Sequence, residues 1–255
     1  MKNIILFFAL IFYLQAADLT GRDVMTKMVT SDNVITTQMN IKLTHTEVRR
    51  GKEKIKIREL VRYHKRYKAG NYISKSLMRF SKPDIIKGTG FLIWAKTAGG
   101  NDQWLFLPKV KSARKIEAQD KTKSFMNTEF SYEDLESFNQ PDEQYFLEGK
   151  EVLDNLNCYI VEVIGHANTQ YKRSLAWIDD KEWQLRKVEF YDKNNKLIKV
   201  LIVSDYQTID GFSFTTKMTM ENVQTGSHTV MDISNIKFNI DIADSYFTKN
   251  SLVNP

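Results

Sequence analysis

Alternation of apolar and polar side chains is the main pattern along this chain. Residues 34–48, 53–67 and 211–223 each place apolar side chains at every second position over most of their length. Residues 50–52, Arg-Gly-Lys, have the composition of a hairpin turn between the first two segments. A period of two predicts β-strands that bury one face and expose the other, as antiparallel sheets do.

Similar but shorter patterns predict a chain made mostly of strands. Further strands are expected near residues 71–80, 90–96, 102–107, 144–152, 158–165, 171–179, 184–192, 196–207 and 227–239. In the last of these the apolar parity changes near Ser234, which indicates a β-bulge. Helices are few: one is expected from Thr20, and shorter turns near residues 132–138 and 242–247. This order of elements predicts either a β-sandwich or a strongly curved, barrel-like sheet.

The apolar parity also predicts which side chains point inward. The candidates for an apolar interior are Met39, Ile41, Leu43, Ile57, Val61, Tyr63, Phe91, Trp104, Phe106, Phe214, Met218, Met220 and Met231. Methionine is unbranched and polarizable, so it adapts to variable apolar partners. Two interpretations remain open from the pattern: these side chains fill a dry core, or they line a cavity inside a curled sheet.

The first sixteen residues have the three-part composition of a secretory signal peptide. Lys2 gives a positive start, residues 4–14 are apolar, and Ala16 follows as a small residue suited to cleavage. The apolar run is too short to span a bilayer as a helix, although an uncleaved anchor is the alternative. We therefore expect a cleaved signal peptide at 1–16, a single domain at 17–255, and a soluble periplasmic protein without a lipid anchor.

Cysteine content excludes a disulfide within the chain, and net charge indicates the class of partner. Cys158 is the only cysteine, so no disulfide forms within the chain. The net charge is +6. For an exported protein this excess favours anionic lipid head groups or an acidic partner over nucleic acid.

Three blocks in the middle of the chain resemble a known family. Residues 80–92, 102–116 and 124–135 are similar in order and spacing to motifs of the outer-membrane lipoprotein-sorting proteins. These LolA-like proteins are periplasmic carriers, often encoded beside RND-type lipid exporters. The chain departs from the family pattern at Asn127, where a glycine is expected, and at Lys115, where an arginine is usual.

The resemblance implies a mainly β fold: an unclosed antiparallel β-barrel, or half-barrel, with short helices over an apolar cavity that binds acyl chains. Residues 124–135, here called the lid segment, are expected to pack over the cavity mouth through Phe125, Met126, Phe130 and Tyr132. Its acids, Glu129, Glu133 and Asp134, are expected to stay in water. The protein is expected to act as a monomer.

Several cations are candidates for contact with a cargo head group or a partner. Those nearest the motif blocks are Arg79, Lys109, Lys111, Arg114 and Lys115. A second group on residues 53–67, which includes Arg58 and Arg62, is predicted to lie on the outer face of its strand. A solvated, aggregation-resistant strand face is the alternative for that group.

The chain lacks the motifs of the common hydrolases and metal sites. No G-x-S-x-G turn is present, and the four histidines have no metal-binding spacing. We therefore expect no enzyme, no cofactor and no metal. A lipid carrier is the first hypothesis, and a lipid-sensing accessory or adaptor subunit of an exporter is the second.

Overall fold

The computed structural model describes residues 19–31, 33–136, 142–165 and 168–254. The predicted signal peptide at 1–16 lies outside the described residues. Within the described part of the chain there are thirteen β-strands, two α-helices and several 3₁₀ turns.

The first six strands follow one helix near the amino terminus. In chain order these elements are α1 (Gly21–Thr30), β1 (Thr36–Arg49), β2 (Lys52–Arg66), β3 (Tyr72–Lys82), β4 (Gly90–Lys96), β5 (Asp102–Leu107) and β6 (Ser112–Lys115). After the lid segment the chain continues as β7 (Gln144–Leu153), β8 (Leu156–Ile164), β9 (Arg173–Asp179), β10 (Leu185–Tyr191), β11 (Leu197–Ile209), β12 (Phe212–Asn222), β13 (His228–Phe238) and α2 (Lys249–Val253).

All thirteen described strands form one antiparallel sheet. Its spatial order is β6-β5-β4-β3-β2-β1-β13-β12-β11-β10-β9-β8-β7, so β6 and β7 are edge strands and the sheet is not closed. Strands β1–β6 are here called the first wing and β7–β13 the second wing, and the two wings meet where β1 pairs with β13. The prediction of a mainly β, unclosed antiparallel half-barrel is confirmed.

A bulge interrupts the pairing between the two wings. Gln38 lies opposite Lys237 and Asn40 lies opposite Ser234, so two residues of β13, Asn235 and Ile236, lie opposite the single residue Met39 of β1. One of them, Asn235, has a positive φ of 50°, a conformation that asparagine tolerates better than most residues. The bulge predicted near Ser234 is therefore confirmed, and it explains the change of apolar parity.

One face of the sheet, here called the inner face, carries two joined apolar clusters. The cluster on the first wing includes Met39 and Phe91, and the cluster on the second wing includes Val161 and Leu201. Met218 and Met231 pack against both clusters and so connect them.

Helix α1 covers part of the second wing through Val24 and Met25, which are buried. Its first turn is fixed by a capping box, in which Thr20 Oγ1 accepts from the Asp23 amide and the Asp23 carboxylate accepts from the Thr20 amide.

The opposite face of the first wing, here called the outer face, is covered as well. The C-terminal residues 239–254 cross it and bury Phe247 and Leu252 against Leu77, Leu92 and other side chains of the third cluster. Both faces of β3–β5 are therefore apolar, and alternation alone does not distinguish them.

Candidate functional site

A continuous apolar row crosses the inner face at the junction of the two wings. Leu43 of β1 lies opposite Met231 of β13, Met231 lies opposite Met218 of β12, and Met218 lies opposite Val203 of β11. Because strand neighbours on one face are about 5 Å apart, these side chains form a strip about four residues wide. The strip presents flexible thioethers between branched aliphatic groups.

The lid segment packs on this face through an aromatic cluster. Phe125 is 1% exposed, and its ring centre lies 5.1 Å from that of Phe91, 5.6 Å from that of Tyr132 and 5.8 Å from that of Phe80. Phe130 packs instead into the cluster of the second wing. The lid segment therefore occupies the inner face of both wings at once.

A tight turn gives the lid segment its shape. The Phe125 amide donates to the Phe130 carbonyl at 2.7 Å, and Thr128 Oγ1 donates to the Phe125 carbonyl at 2.7 Å. Met126 and Asn127 have positive φ angles of 52° and 54°. Since the left-handed region favours glycine and then asparagine, Asn127 satisfies the same backbone requirement as the glycine expected from the family pattern.

The acids of the lid segment are not in water, and this prediction was wrong. Asp134 Oδ2 lies 3.2 Å from Lys199 Nζ in a buried ion pair, and Tyr171 Oη donates to Asp134 Oδ1 at 2.7 Å. Glu133 Oε1 accepts from Gln170 Nε2 at 2.6 Å. Burial raises the pKa of the Glu133 carboxyl. These contacts attach the lid segment to the second wing.

Burial also raises the pKa of Glu129, the third acid of the lid segment. Its backbone amide donates to Thr229 Oγ1 at 2.9 Å, which ties this part of the lid to β13.

A small cavity adjoins the end of the lid segment at Glu133 and Asp134. It lies beside the second wing, has a volume of about 110 Å³ and is lined by Met25, Tyr171, Phe190 and Met220 among others. This volume is smaller than that of an engineered apolar cavity of roughly 150 Å³ that binds benzene, and it is too small for an acyl chain. Phe125 and Tyr132 of the lid segment are buried in the cluster on the inner face of the first wing.

A wider opening lies within the second wing. It has a volume of about 380 Å³ and is lined by residues of β11, β12 and the bulged part of β13, including Thr216, Ile233 and Ile236.

Most of the predicted interior residues come together on the inner face. Those found in or against its two clusters are Met39, Ile41, Leu43, Phe91, Phe214, Met218, Met220 and Met231. The four predicted lid residues, Phe125, Met126, Phe130 and Tyr132, lie there as well.

Five predicted interior residues lie on the outer face instead. Tyr63, Trp104 and Phe106 belong to the third cluster, under the C-terminal residues. Ile57 is 46% exposed, and Val61 shares its strand parity. On β2 the inner parity is set by Leu60, which is buried opposite Ile41, and its neighbours at that parity are charged. Apolar residues occur at both parities of this strand, so counting them gave the wrong face.

The same correction moves Arg58 and Arg62 to the inner face. Arg58 is only 7% exposed and lies opposite Leu43. Arg62 lies between Met39 and Met78, and its Nε is buried without a hydrogen-bond partner. Burial lowers the pKa of Arg62 to about 10. Leu60 is the single apolar residue at this parity of β2, which is too weak a signal to identify the buried face from the sequence.

The remaining predicted cations differ in their environments. Arg79 donates to the carbonyls of Ser251 and Leu252 and holds α2 on the outer face, so it is not at the rim of the inner face. Lys115 Nζ pairs with Asp102 Oδ1 at 2.8 Å. Lys109, Lys111 and Arg114 are exposed.

The three exposed cations lie close to two exposed apolar side chains. Val110, between Lys109 and Lys111, is 64% exposed, and Ile85 is 68% exposed. The loops that carry them are neighbours, since a Cβ on Gly88 would lie 3.2 Å from Pro108 Cγ.

Over the described ranges, no group of three or more His, Cys, Asp or Glu side chains has a metal-binding arrangement. Nor does any helix in that part of the chain have the length and apolar character to cross a membrane.

Comparison with known proteins identifies the fold. A family model described only as an uncharacterized protein matches residues 73–254. A DUF1329 family protein from Desulfovibrio piger is 29% identical, with a TM-score of 0.83 over 91% of this chain and 97% of that chain. A putative outer membrane lipoprotein-sorting protein domain from Vibrio parahaemolyticus is 27% identical, with a TM-score of 0.84 over 91% of this chain and 98% of that chain.

A third structure extends the likeness at the level of fold. A LolA superfamily protein from Nitrosomonas europaea is 21% identical, with a TM-score of 0.69 over 92% of this chain and 100% of that chain. No curated protein matches the chain. Because the family model covers most of the sequence and these structures share its architecture, the chain belongs to a LolA-like family.

Proposed function

We propose that this protein is a soluble periplasmic carrier that binds acyl chains of lipids or lipoproteins on its inner face and ferries them towards the outer membrane. The observation that carries the proposal is the apolar row from Leu43 to Val203, which adjoins the clusters that contain the aromatic side chains of the lid segment. We also propose that the protein is a monomer and that its signal peptide is cleaved on export. An RND-type exporter is its proposed partner.

Lipid transfer through water requires such a surface. Each methylene group exposed to water costs about 0.8 kcal/mol, so a sixteen-carbon chain costs on the order of 12 kcal/mol. A carrier must offset this cost and yet release its cargo. A sheet with an apolar inner face and a removable cover meets both requirements, and no catalytic step is needed.

A side chain of the lid segment occupies the position that an acyl chain would take on the inner face. The ring of Phe125 lies among Phe80, Phe91 and Tyr132, and an acyl chain entering the first wing would take its place. The apolar surface that Phe125 leaves is then covered by the cargo. Exchange of one apolar group for another keeps the net free energy of binding small enough for release.

The exposed basic loops are suited to transient contact with a membrane. Lys109 and Lys111 flank Val110 in the chain, Arg114 follows on β6, and Ile85 is exposed on the neighbouring loop. Near an anionic bilayer each cation contributes about 1 kcal/mol. We propose that this surface contacts an anionic membrane or an acidic exporter subunit during loading or release.

The test of binding is mass spectrometry of lipids extracted from the protein purified out of its native envelope. Wild-type protein is expected to retain lipid, and Met218→Asp or Phe214→Asp to lose it, because a carboxylate on the inner face opposes an acyl chain. Ile202→Asp is the matched control, since Ile202 is 42% exposed on the neighbouring strand. Equal retention by Met218→Asp and Ile202→Asp would refute the proposed site.

Transfer between vesicles separates a carrier from a lipid-sensing accessory subunit. Lipid is expected to move from donor to acceptor vesicles at a rate that increases with protein concentration, whereas a sensor binds lipid without accelerating transfer. The double variant Lys111→Glu with Arg114→Glu is expected to slow transfer while leaving retention unchanged. An unchanged rate would assign these cations to the solvated surface.

A further inference from the structure

The inner face of the first wing holds cations that no carboxylate neutralises. In the described part of the chain neither Arg58 nor Arg62 has an ion pair, although Arg58 is 7% exposed and Arg62 Nε is shielded from solvent. An isolated buried charge is costly, so such groups are normally paired in folded proteins. The missing partner is therefore a feature that requires an explanation.

Polar groups gather around Arg62 in a defined arrangement. Arg62 Nη2 donates to Ser76 Oγ at 3.2 Å, and His64 Nδ1 lies 2.7 Å from the same oxygen. Thr37 lies directly opposite His64, and its buried Oγ1 has no hydrogen-bond partner. Two unsatisfied donors, Arg62 Nε and the Thr37 hydroxyl, thus lie at neighbouring positions of adjacent strands.

The surroundings of this group are apolar on one side and positive on the other. Met39 and Met78 lie directly opposite Arg62 on its two neighbouring strands, and both belong to the cluster that adjoins the proposed acyl site. Arg66 lies four residues further along β2 and adds to the positive field. Burial and these guanidinium groups hold the pKa of His64 well below its ordinary value, so the imidazole is neutral at pH 7.

We propose that the cargo is an anionic amphiphile, and that Arg62, with Thr37 and Ser76, binds its phosphate or carboxylate group while the acyl chain lies on the methionine strip. This inference rests on the proposed carrier function and names the chemical class of the cargo. A guanidinium group matches the planar geometry of carboxylate and phosphate oxygens, and the two unsatisfied donors gain acceptors when the anion binds.

Arg58 provides an internal control for this site. It lies on the same strand and the same face, four residues from Arg62 and therefore about 13 Å away. The polar groups that gather around Arg62, which are Thr37, His64 and Ser76, do not include Arg58. A general effect of positive charge would depend on both arginines, whereas a defined site depends on Arg62.

The test compares two ligands with the same acyl chain by calorimetry, each below its critical micelle concentration. Lysophosphatidylglycerol carries a phosphate, and monopalmitoylglycerol carries no charge. Wild-type protein is expected to bind the anionic ligand at least about ten-fold more tightly, since a hydrogen bond to a charged group is worth more than one such factor. Arg62→Met is expected to remove this preference and leave the affinity for monopalmitoylglycerol unchanged.

Two further variants define the role of the side chain. Arg62→Lys is expected to keep part of the preference, because lysine retains the charge but not the fork of donors. Arg58→Met is expected to change the preference by less than about three-fold, in keeping with its distance. Equal loss in Arg58→Met and Arg62→Met would overturn the assignment of a site at Arg62. Thermal unfolding of each variant checks that it is folded.

The remaining outcomes are also distinguishable. Binding of both ligands without preference would overturn the anionic cargo but leave the carrier function intact. Failure of both ligands to bind would instead overturn the carrier function. Inorganic phosphate is the third ligand: if it alone binds, and Arg62→Met abolishes that binding, the site serves a free anion and the inference about cargo fails.

Discussion

The two wings of the sheet differ in whether their buried polar groups have partners within the protein. In the second wing, Lys199 pairs with Asp134, and Arg186 Nη2 pairs with Asp179 Oδ2 at 3.0 Å, with both carboxylates almost completely buried. In the first wing several buried polar atoms have no hydrogen-bond partner. Across the described residues, all of the buried side-chain atoms that lack a hydrogen-bond partner belong to the first wing: Thr37 Oγ1, Arg58 Nη1, Arg62 Nε, Asn101 Nδ2 and Gln103 Oε1.

This difference separates a scaffold from a binding surface. A buried polar atom without a partner costs about 1–3 kcal/mol, so a wing built only for stability would not keep several of them. The second wing is satisfied internally and fixes the end of the lid segment through Asp134. We infer that these polar atoms of the first wing lack hydrogen-bond partners in the free protein because the bound cargo supplies the partners.

The largest expected effect comes from breaking a pair in the second wing. Lys199→Ala leaves the buried Asp134 without its cation, and the free energy of unfolding is expected to fall by about 3–5 kcal/mol. Chemical denaturation measures this change. Lys217→Ala is the control, because the Lys217–Asp205 pair is exposed and its loss costs less than about 1 kcal/mol. Similar losses in both variants would show that the buried pair has no special role.

Phe125→Ala tests how the lid segment is held on the first wing. Removing a ring packed among Phe80, Phe91 and Tyr132 is expected to cost about 3 kcal/mol. Hydrogen exchange should show faster exchange at the Phe125 amide, which bonds the Phe130 carbonyl, with β9–β11 unchanged. Phe146→Ala, at a position 48% exposed, is the control. Uniform acceleration across both wings would contradict a lid that opens separately.

Arg58→Met is expected to change stability in the opposite direction from Lys199→Ala. A buried cation without a partner is replaced by an apolar side chain of similar length, and the free energy of unfolding of the ligand-free protein should rise by about 1–2 kcal/mol. Denaturation of the two variants under the same conditions gives the comparison. A loss of stability in Arg58→Met would mean that the first wing satisfies its charges internally.

The smallest effect expected is a pH dependence where the lid segment contacts the second wing. Burial raises the pKa of Glu133, so the folded protein holds this proton more tightly than the unfolded chain does. Its contribution to stability is therefore greatest below the ordinary pKa of 4.5 and is lost as the pH rises through the folded value. Glu133→Gln should flatten the stability profile in this range, as measured by thermal unfolding at successive pH values. An unchanged profile would exclude Glu133 as the source.

The fold could be predicted from the sequence where one face of a strand is wet. Met218 and Met220 alternate with polar residues on β12, and their shared face follows from parity. The reversal near Ser234 likewise marked the bulge in β13. In each case a polar residue between two apolar ones shows which face of the strand is buried, because the other face is in water.

The binding face of β2 could not be predicted in the same way. Ile55, Ile57 and Val61 outnumber Leu60, yet Leu60 is the buried one. The apolar residues at the outer parity lie beside Tyr63, which packs under the C-terminal residues, a contact nearly two hundred residues distant in the chain. Arginine at the inner parity contradicts the usual rule for burial, and this exception belongs to the proposed site.

The acids of the lid segment show a second limit. Sequence favours exposed carboxylates on a connection, because charged residues are seldom buried without partners. The partner of Asp134 is Lys199, on β11, and the distance of 65 residues between them hides the pair from any local pattern. The contact exists only because the lid segment crosses from one wing to the other.

The structure of the protein bound to lysophosphatidylglycerol tests the central claim most directly. The account predicts that the acyl chain lies along the strip that includes Leu43, Met231 and Met218, that Phe125 has left the first wing, and that a phosphate oxygen lies about 3 Å from Arg62. A complex in which the lipid lies on the outer face, with Phe125 still packed against Phe91, would contradict it.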